Sequence, residues 1–333
     1  MQTNPKVSII IPNYNHALYL EQRIASVLHQ SYQDFELIIL DDCSTDYSRE
    51  IIEQYRSNLK VSRIIYNQEN SGSVFKQWIK GIENAKGEYI WIAESDDYAS
   101  EFFLQETLIS LQNNPSLGMV FTKSLAVNEK GETINNTWEA KENRWEKLAS
   151  FNNIIDKENL PLFLVAQMLV ENASSVLFRK SQLLAINLEE LSHYKNTGDR
   201  FTYIGIALNS KILYMPQPLN YMRWHEHNTT KKNVENGNIH RDRLRVLNYY
   251  FERLLHSPYK KELAIFFKNN YFFFMNYGTY VENLALLENI KKTKEISYIF
   301  YALVKGYLYL FINKKYKARI LRSIYYRILL LQK

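Results

Sequence analysis

Residues 7–42 read VSIIIPNYNHALYLEQRIASVLHQSYQDFELIILDD, and the pattern of this segment indicates the fold class. It opens with Val7–Ile11, an uncharged, β-branched run that is typical of a strand buried on both faces. Apolar residues then recur at helical spacing between Leu20 and Leu28, and Leu37–Leu40 forms a second apolar run. The order of strand, helix and strand predicts a parallel β-α-β unit.

The same alternation continues along the first third of the chain. A third strand is predicted near Arg63–Tyr66, a helix from about Phe75 to Asn84, and a fourth strand at Tyr89–Ala93. We therefore predict an α/β fold in which a mixed, mostly parallel sheet of Rossmann type is flanked by helices. Ligands of such sheets bind beyond the carboxyl ends of the strands, so the residues that follow each strand are the candidates for chemistry.

The composition indicates a globular protein with a basic tail. The chain has 333 residues, of which 46% are hydrophobic, enough to bury a large core. Residues 291–333 contain 11 Lys or Arg and 1 Glu, a formal +10 against +6 for the whole chain, so residues 1–290 carry −4. A mildly acidic body argues against a nucleic-acid partner. Because the only cysteine is Cys43 and the amino terminus lacks the apolar segment of a secretory signal, we expect a cytoplasmic location.

Acidic residues follow two of the predicted strands. Glu94, Asp96 and Asp97 come directly after the fourth strand, and Asp42 ends the second. Carboxylates gathered at one sheet edge repel one another and lose hydration, which a divalent cation relieves. Mg²⁺ or Mn²⁺ accepts such oxygen ligands together with the phosphates of a substrate. The alternative, that Asp96 and Asp97 cap a helix starting near Glu101, stays open at this point.

The position of Asp42 bears on the choice of nucleotide. An ionised carboxylate only accepts hydrogen bonds, so it pairs with the ring N–H of uracil, thymine or guanine and not with adenine or cytosine. Residues 41–46, DDCSTD, also fit an ordinary strand-to-helix turn. The chain contains neither G-x-G-x-x-G nor G-x-x-x-x-G-K-[ST], so the phosphates of a bound nucleotide would need a metal to hold them.

These motifs resemble glycosyltransferase family 2, whose members are inverting nucleotide-sugar enzymes with the GT-A fold. The resemblance runs from about residue 6 to residue 230. It is carried by VSIIIPNYNHALYLEQRIASVLHQSYQDFELIILDDCSTD (7–46), NSG (70–72), AKGEYIWIAESDD (85–97) and GDRFTYIGIAL (198–208). It implies a nucleotide-sugar-binding half at 1–125, an acceptor-binding and catalytic half at 126–230, and a helical, basic, Tyr-rich extension at 231–333.

The resemblance also implies roles for individual residues. The implied donor contacts are Pro12, Tyr14, Asp42, Glu94, Asp96 and Arg223. The implied metal ligands are Asp96, Asp97 and His225. Asp199, just before a helix, takes the place of the catalytic base; many members carry two adjacent acids there, whereas this chain has Gly198-Asp199. Without the resemblance, Asp199 is predicted to be a helix N-cap.

The tail indicates contact with a membrane surface. Residues 296–312, ISYIFYALVKGYLYLFI, are 17 in number and fall short of the roughly 20 apolar residues of a spanning helix. Their aromatic side chains, and the basic residues that follow, fit helices lying on an anionic membrane surface. Packing of these helices against the catalytic domain is the rival interpretation.

Together these features predict an inverting glycosyltransferase that moves a sugar from a UDP, dTDP or GDP donor to a saccharide or lipid-linked saccharide acceptor. The implied setting is bacterial cell-surface polysaccharide synthesis, such as capsule or O-antigen, at the cytoplasmic face of the inner membrane. Two alternatives remain open. One is a sugar nucleotidyltransferase, which is expected to carry a glycine-rich basic loop that this sequence lacks. The other is a non-catalytic membrane- or RNA-binding module with a degenerate GT-A domain.

Overall fold

The chain forms two compact units. The computed structural model describes residues 4–134, 153–160, 170, 172–225, 238–256, 258, 261, 265, 279–294 and 297–313. The first unit comprises Met1–Asp156 and Met168–Asn228, and the second comprises Lys157–Gln167 and Thr229–Lys333. The second unit therefore includes a segment that lies inside the predicted range 126–230.

The first unit is built on a mixed sheet. Its strands, within the described residues, are β1 (Val7–Asn13), β2 (Phe35–Asp41), β3 (Val61–Tyr66), β4 (Tyr89–Ile92), β5 (Tyr98–Ala99), β6 (Leu117–Val127), β7 (Ile154–Ile155), β8 (Val176–Arg179) and β9 (Lys211–Arg223). The strand order is β3-β2-β1-β4-β8-β6-β9-β5, with β7 paired to β9. The four strands from β3 to β4 run parallel, whereas β8 is antiparallel to both β4 and β6.

Helices connect these strands. In the first unit they are α1 (Ala17–Leu28), α2 (Ser48–Gln54), α3 (Val74–Asn84), α4 (Phe103–Asn113), α5 (Lys180–Leu184), α6 (Leu188–Ser192) and α7 (Gly198–Asn209). Strand β1 is buried along its whole length, which is why its sequence shows no polar alternation. Its Ile9 and Ile11 share one core with Leu20 and Ile24 of α1. The predicted α/β fold is confirmed.

The direction of the strand order reverses between β1 and β4. Strands β2 and β3 lie on one side of β1, and β4 lies on the other. In open α/β sheets, ligands bind in the crevice outside the carboxyl ends of the strands at such a reversal. Because the N–H of Ala93 donates to the carbonyl of Ile10 at 2.8 Å, the segments leaving β1 and β4 begin side by side.

The turn after β4 does not lead directly into a helix. The short strand β5 follows Asp97 and pairs with β9. Helix α4 begins only at Phe103 and has no side-chain cap. The alternative in which Asp96 and Asp97 cap a helix near Glu101 is therefore wrong, because a strand intervenes.

The second unit is helical where the structure describes it, as predicted. It contains α8 (Asn238–Leu254), α9 (Tyr280–Lys292), α10 (Tyr298–Tyr307) and a π-helical turn at Leu308–Asn313. Helix α9 starts with a capping box formed by Thr279 and Glu282. Over the described residues, none of the helices has both the length and the apolar character needed to cross a membrane.

Candidate active site

Three side chains from distant parts of the sequence converge at the carboxyl ends of β1 and β4: His16, Asp96 and His225. One nitrogen from each imidazole and one oxygen of Asp96 lie within 4.8 Å of one another. His225 Nε2 is 3.2 Å from Asp96 Oδ2, and the two imidazole rings meet edge to face with centroids 5.7 Å apart. Imidazole and carboxylate groups grouped this closely are suited to bind a divalent metal ion.

Secondary structure explains why these three residues meet. His16 lies between the end of β1 and the start of α1, Asp96 lies in the turn after β4, and His225 lies two residues beyond β9. Strand β5, which follows the turn, pairs with β9. The turn that carries Asp96 is therefore tied to the strand that leads to His225, 129 residues later in the chain.

The chemistry of the cluster fits a metal ion. The Nδ1 atom of His225 is buried and has no hydrogen-bond partner within the part of the chain that the structure describes. Burial acts to raise the pKa of Asp96, but the hydrogen bond with His225 and the fields of both histidines outweigh it and hold this pKa below its ordinary value. The Asp96 carboxylate is therefore ionised at neutral pH, and together with His225 it could hold a metal ion.

Asp97 points away from this cluster and into the protein. Its carboxylate accepts hydrogen bonds from Asn172 Nδ2 at 2.6 Å and from the backbone N–H of Arg223 at 2.9 Å. Burial, assisted by the charge of Asp96, raises the pKa of Asp97 to about 7. The structure thus brings Asp96 and His225 together but does not bring the predicted metal ligand Asp97 to them.

Glu94 is held by the indole of a core tryptophan. Trp78 Nε1 donates to Glu94 Oε1 at 2.9 Å, and Trp78 itself is buried. Burial, followed by the charge of Asp96, raises the pKa of Glu94 to about 8, whereas the Trp78 hydrogen bond acts in the opposite direction. The pKa of Glu94 is thus raised, whereas that of Asp96, two residues later, is lowered.

Arg223 occupies a different environment from that of a phosphate-binding side chain. It is 2% exposed, and its guanidinium donates to the carbonyls of Asp96, Asn128 and Glu129 and to the side chain of Gln22. It also lies over the ring of Tyr19, 4.8 Å from the centroid. The predicted donor contact thus binds the backbone of the turn that carries Asp96, which makes it a structural support for that turn.

Asp42 lies at the end of β2, 5% exposed, at the same carboxyl edge of the sheet. Its Oδ1 accepts from Asn67 Nδ2, Gln77 Nε2 and the N–H of Ser71, at 2.6, 2.9 and 2.9 Å. Its Oδ2 accepts from Ser71 Oγ at 2.8 Å. Gly72, with φ at 72°, allows the loop to turn back toward Asp42. Four donors fix the carboxylate, and Oδ2 is the oxygen with more capacity for a ligand.

The other two predicted nucleoside contacts differ in exposure. Pro12 is buried within β1 and pairs with Leu40 of β2. Tyr14 follows the strand and is 46% exposed, so its ring is accessible to a ligand. Asn15 then adopts a φ of 56°, and its side chain accepts from the N–H of Thr45 at 2.7 Å. This contact ties the segment after β1 to the segment after β2, which carries Asp42.

Comparison with known proteins agrees with this architecture. Residues 8–170 match the model of the family described as Glycosyl transferase family 2. The chain carries a family 2 glycosyltransferase domain. The match covers β1 to β4 and the turn that holds Asp96.

Several named bacterial relatives share this glycosyltransferase domain. The chain is 43% identical over 93 residues to TuaG of Bacillus subtilis, named for teichuronic acid biosynthesis, covering 28% of this chain and 36% of TuaG. It is 33% identical over 130 residues to the poly(ribitol-phosphate) beta-N-acetylglucosaminyltransferase TarS of Staphylococcus aureus, covering 38% of this chain and 22% of TarS. The chain thus spans less than half the length of these curated relatives.

Solved structures share the fold over nearly the whole chain. The crystal structure of S. aureus TarS residues 1–349 superposes with a TM-score of 0.62 at 17% identity, covering 97% of this chain and 90% of that one. A mannosyltransferase from Pyrobaculum calidifontis, in complex with GDP-Man and Mn²⁺, superposes with a TM-score of 0.53 at 16% identity, covering 97% and 85%. At these identities the likeness concerns the fold, which is GT-A.

Asp199 lies in the first turn of α7. Thr197 is the N-cap residue of this helix, so Asp199 is not its N-cap, although Asp199 Oδ1 accepts from the backbone N–H of Arg200 at 2.7 Å. Burial, and then the charges of Asp199 and Glu94, raise the pKa of the buried Tyr203 well above its usual range. The carboxylates of Asp199 and Glu94 are thus both close enough to the Tyr203 hydroxyl to influence its pKa.

Gly198 explains why only one acid stands at this position. A Cβ atom at residue 198 would lie 2.7 Å from the ring of Phe75 and 2.8 Å from Leu191. Real Cβ atoms do not approach other atoms so closely, because atomic overlap costs too much energy. Because α3 and α6 pack closely against α7, residue 198 has room only for glycine. A second acidic side chain does not fit there.

Sequence reasoning missed three residues that shape the site: His16, Gln77 and Arg23. His16 follows a strand end, so the rule that located Asp42 and Glu94 also applies to it. Gln77 stands in α3, where the sequence did not predict a donor contact, yet it binds Asp42. Arg23 has a helical position facing the core, and no local pattern distinguishes a buried arginine from an exposed one.

Proposed function

We propose that this chain is an inverting glycosyltransferase that transfers a sugar from a nucleotide-diphosphate donor to a saccharide or lipid-linked saccharide. The observation that carries this proposal is the convergence of Asp96 and His225 at the sheet edge that also carries Asp42. At the crevice between β1 and β4, the GT-A sheet carries side chains that can bind a cation and, through it, a diphosphate. At the end of β2 it carries Asp42, a hydrogen-bond acceptor held in a fixed position, which can bind a base.

The donor would be bound in two places. Asp42 Oδ2 accepts a ring N–H, which restricts the base to uracil, thymine or guanine. Tyr14 supplies an exposed aromatic face at the same edge. The crystal structures of S. aureus TarS in complex with UDP-GlcNAc and with UDP support UDP as the first nucleotide to test.

Asp96 and His225 would hold a divalent cation, Mg²⁺ or Mn²⁺. Such a cation, when bound, supplies electrostatic stabilisation of the negative charge that develops on the departing diphosphate. Arg223 and Glu94 act around it: Arg223 fixes the backbone of the turn, and Glu94 offers a carboxyl group whose direction Trp78 sets.

Asp199 would be the general base. Its carboxylate takes the proton from an acceptor hydroxyl while that oxygen attacks the anomeric carbon of the donor. The bond from this carbon to the diphosphate breaks, the nucleoside diphosphate departs, and the single displacement inverts the configuration. Positioned bases contribute about 10²–10⁴-fold to such steps.

The names of the relatives support a cell-surface polymer as the acceptor. TuaG is named for teichuronic acid and TarS for poly(ribitol-phosphate), both extended polymers. We include capsule and O-antigen glycans among the candidate acceptors, and we place the reaction at the cytoplasmic face of the inner membrane.

The test is calorimetric titration of the full chain with UDP, dTDP, GDP and ADP, each with Mn²⁺ and with EDTA. We expect metal-dependent binding of one base other than adenine, and its loss in Asp42→Ala and in Asp96→Ala. Leu59, which precedes β3 and is fully exposed, gives the control Leu59→Ser, which should bind normally. Absence of nucleotide binding under every condition would overturn the proposal.

Peripheral membrane contact through the second unit is part of the same proposal. Tyr298, Ile299, Tyr309 and Leu310 are exposed, between 40% and 77%, and Lys305 is exposed on the same short stretch. Aromatic and aliphatic groups beside lysines suit the interface of an anionic bilayer.

This contact is tested by sedimentation of the full chain with vesicles of phosphatidylcholine alone and with phosphatidylglycerol added. We expect binding that requires the anionic lipid and weakens in the double variant Tyr298→Ser, Ile299→Ser. Leu59→Ser, which removes a fully exposed apolar side chain from the first unit, should bind like the unaltered chain. Equal binding of both variants would contradict the assignment.

A further inference from the structure

His16 occupies a place that the proposed reaction leaves without a role. It stands directly after the segment leaving β1, and it faces the turn after β4 across the crevice. Its Nδ1 lies 2.8 Å from the hydroxyl of Ser95, which is 2% exposed. The ring is thereby held from one side, and its other nitrogen, Nε2, is the one available to a ligand.

The position of His16 at the start of α1 does not account for the orientation of its ring. It is the N-cap residue of the helix, yet its side chain makes no capping hydrogen bond. The N–H of Ala17 is instead satisfied by Asp46 Oδ2 at 2.9 Å. A histidine whose only role is to cap a helix would form a hydrogen bond with the backbone of that helix. The His16 ring is instead turned toward Ser95 and Asp96.

The distances suit a shared ion. Two atoms bound to one cation lie no further apart than twice the metal–ligand distance, roughly 4.2 Å for bonds of about 2.1 Å. The ligand atoms of His16, Asp96 and His225 all lie within 4.8 Å of one another. Binding of one ion by all three residues therefore requires any pair of ligand atoms beyond about 4.2 Å to approach by up to about 0.6 Å.

We propose that His16 is a third protein ligand of the cation, binding through Nε2, with Ser95 as the residue that orients its ring. This inference rests on the proposed function, which needs a cation at Asp96 and His225. A hydrogen bond on the far nitrogen of a ligating histidine fixes its tautomer and direction, and the Ser95 hydroxyl is placed for that purpose.

The third ligand changes which metals the site prefers. With His16 the protein offers two imidazole nitrogens and one carboxylate oxygen. Imidazole nitrogen suits transition metals, whereas Mg²⁺ prefers oxygen ligands and retains its waters. The site therefore selects Mn²⁺ over Mg²⁺, and Co²⁺ or Zn²⁺ binds more tightly than Mn²⁺ in the order general for divalent metals. The positions left on the ion remain for phosphate oxygens.

The experiment measures metal binding without turnover. Mn²⁺ and Mg²⁺ are titrated into the full chain in the presence of UDP, followed by electron paramagnetic resonance for Mn²⁺ and by calorimetry for both. We expect His16→Ala to lower Mn²⁺ affinity by at least about tenfold, and Ser95→Ala to lower it by about tenfold. His16→Glu keeps three ligands but replaces a nitrogen by an oxygen, so it should shift the ratio of affinities toward Mg²⁺.

The matched control is His29→Ala, since the His29 ring is exposed and its Nδ1 bonds to the carbonyl of Ala25 within α1. It should leave Mn²⁺ affinity unchanged, and circular dichroism should show that every variant is folded. Pulsed resonance on Mn²⁺ should detect two coordinated nitrogens in the unaltered chain and one in His16→Ala.

The experiment distinguishes failure of the proposed role of His16 from failure of the proposed function. Unchanged Mn²⁺ affinity and an unchanged nitrogen count in His16→Ala would refute the role of His16 and leave the proposed function intact. Absence of Mn²⁺ binding in the unaltered chain with UDP present would refute the cation itself, and with it the proposal for the reaction.

Discussion

Arg23 Nη2 lies 4.0 Å from Asp97 Oδ2, and both side chains are buried behind the turn that carries Asp96. Arg23 Nε also donates to the carbonyl of Glu94 at 2.8 Å. Burial lowers the pKa of Arg23 to about 10, although the charge of Asp97 opposes this, so the side chain stays cationic at neutral pH. One arginine of α1 thus holds both ends of the turn between Glu94 and Asp97.

Removing this arginine should destabilise the protein. In Arg23→Met, Asp97 loses its buried cationic partner, a loss that costs up to about 3–5 kcal/mol and less where Asp97, whose pKa is about 7, takes up a proton. Denaturation in urea measures the free energy of unfolding. The double variant Arg23→Met, Asp97→Asn should recover part of the loss because no unpaired charge is left behind. If the two changes were simply additive, Arg23 and Asp97 would not act as a pair.

Asp96 and Asp97 should respond differently to the same substitution. Asp96→Asn removes an ionised oxygen from the cluster with His225, so Mn²⁺ binding should fall at least about tenfold. Asp97→Asn should lower stability while largely retaining Mn²⁺ binding in the folded fraction, because the Asp97 side chain is engaged with Asn172 and the backbone of Arg223. Loss of metal binding in both variants would restore Asp97 as a ligand.

Asp199→Asn should abolish most transfer without loss of donor binding. The amide cannot take a proton from the acceptor hydroxyl, so turnover should fall about 10²–10⁴-fold. The affinity for nucleotide, measured by calorimetry, should stay the same since Asp199 is not among the donor contacts. Near-normal turnover in this variant would assign the base to another residue.

Gly198→Ala should destabilise the first unit. The new methyl group would meet the ring of Phe75 and the side chain of Leu191, and overpacking of this kind costs about 1–3 kcal/mol. Adding Phe75→Leu makes room, so the double variant should lose less stability than the sum of the two single changes. If the loss of stability in the double variant equals the sum of the losses in the two single variants within about 0.5 kcal/mol, the two positions do not clash.

Asp46 should contribute stability that depends on pH. Its two oxygens accept from the N–H groups of Ala17 and Ser48, at 2.9 and 3.0 Å, and so serve the starts of both α1 and α2. Burial acts to raise the pKa of Asp46, but the hydrogen bonds from Ser48 and Ala17 outweigh it and hold the pKa below its ordinary value. A lowered pKa in the folded state gives stability that is present above the unfolded pKa and is lost as pH falls through the folded pKa.

Asp46→Ala should therefore cost about 1 kcal/mol at pH 7, the usual value of a helix cap. The difference from the unaltered chain should shrink steadily below about pH 4, the pKa of an unfolded aspartate. Urea denaturation of both proteins at pH 7 and at pH 3 measures this difference in the free energy of unfolding. A difference that stays the same at both pH values would mean that the charge of Asp46 plays no part.

Much of the site's location follows from local sequence. A buried parallel strand needs an uncharged run, and the first polar residues after it must lie at the carboxyl edge of the sheet. That reasoning finds Asp42 and Asp96 without any knowledge of their neighbours. It applies equally to His16, but a single histidine after a strand does not by itself indicate a ligand.

The sequence by itself was enough to predict the parallel β-α-β order and the edge of the sheet at which the acidic residues gather. A strand buried on both faces and a helix with one apolar face each produce a recognisable pattern in consecutive residues. Only the tertiary structure decided which carboxylate faces the crevice. Asp96 and Asp97 are neighbours in the chain, yet Asn172, Arg23 and the strand before His225 draw Asp97 inward and leave Asp96 facing the histidines. Those partners lie more than 70 residues away, and a turn has no periodicity that reveals them.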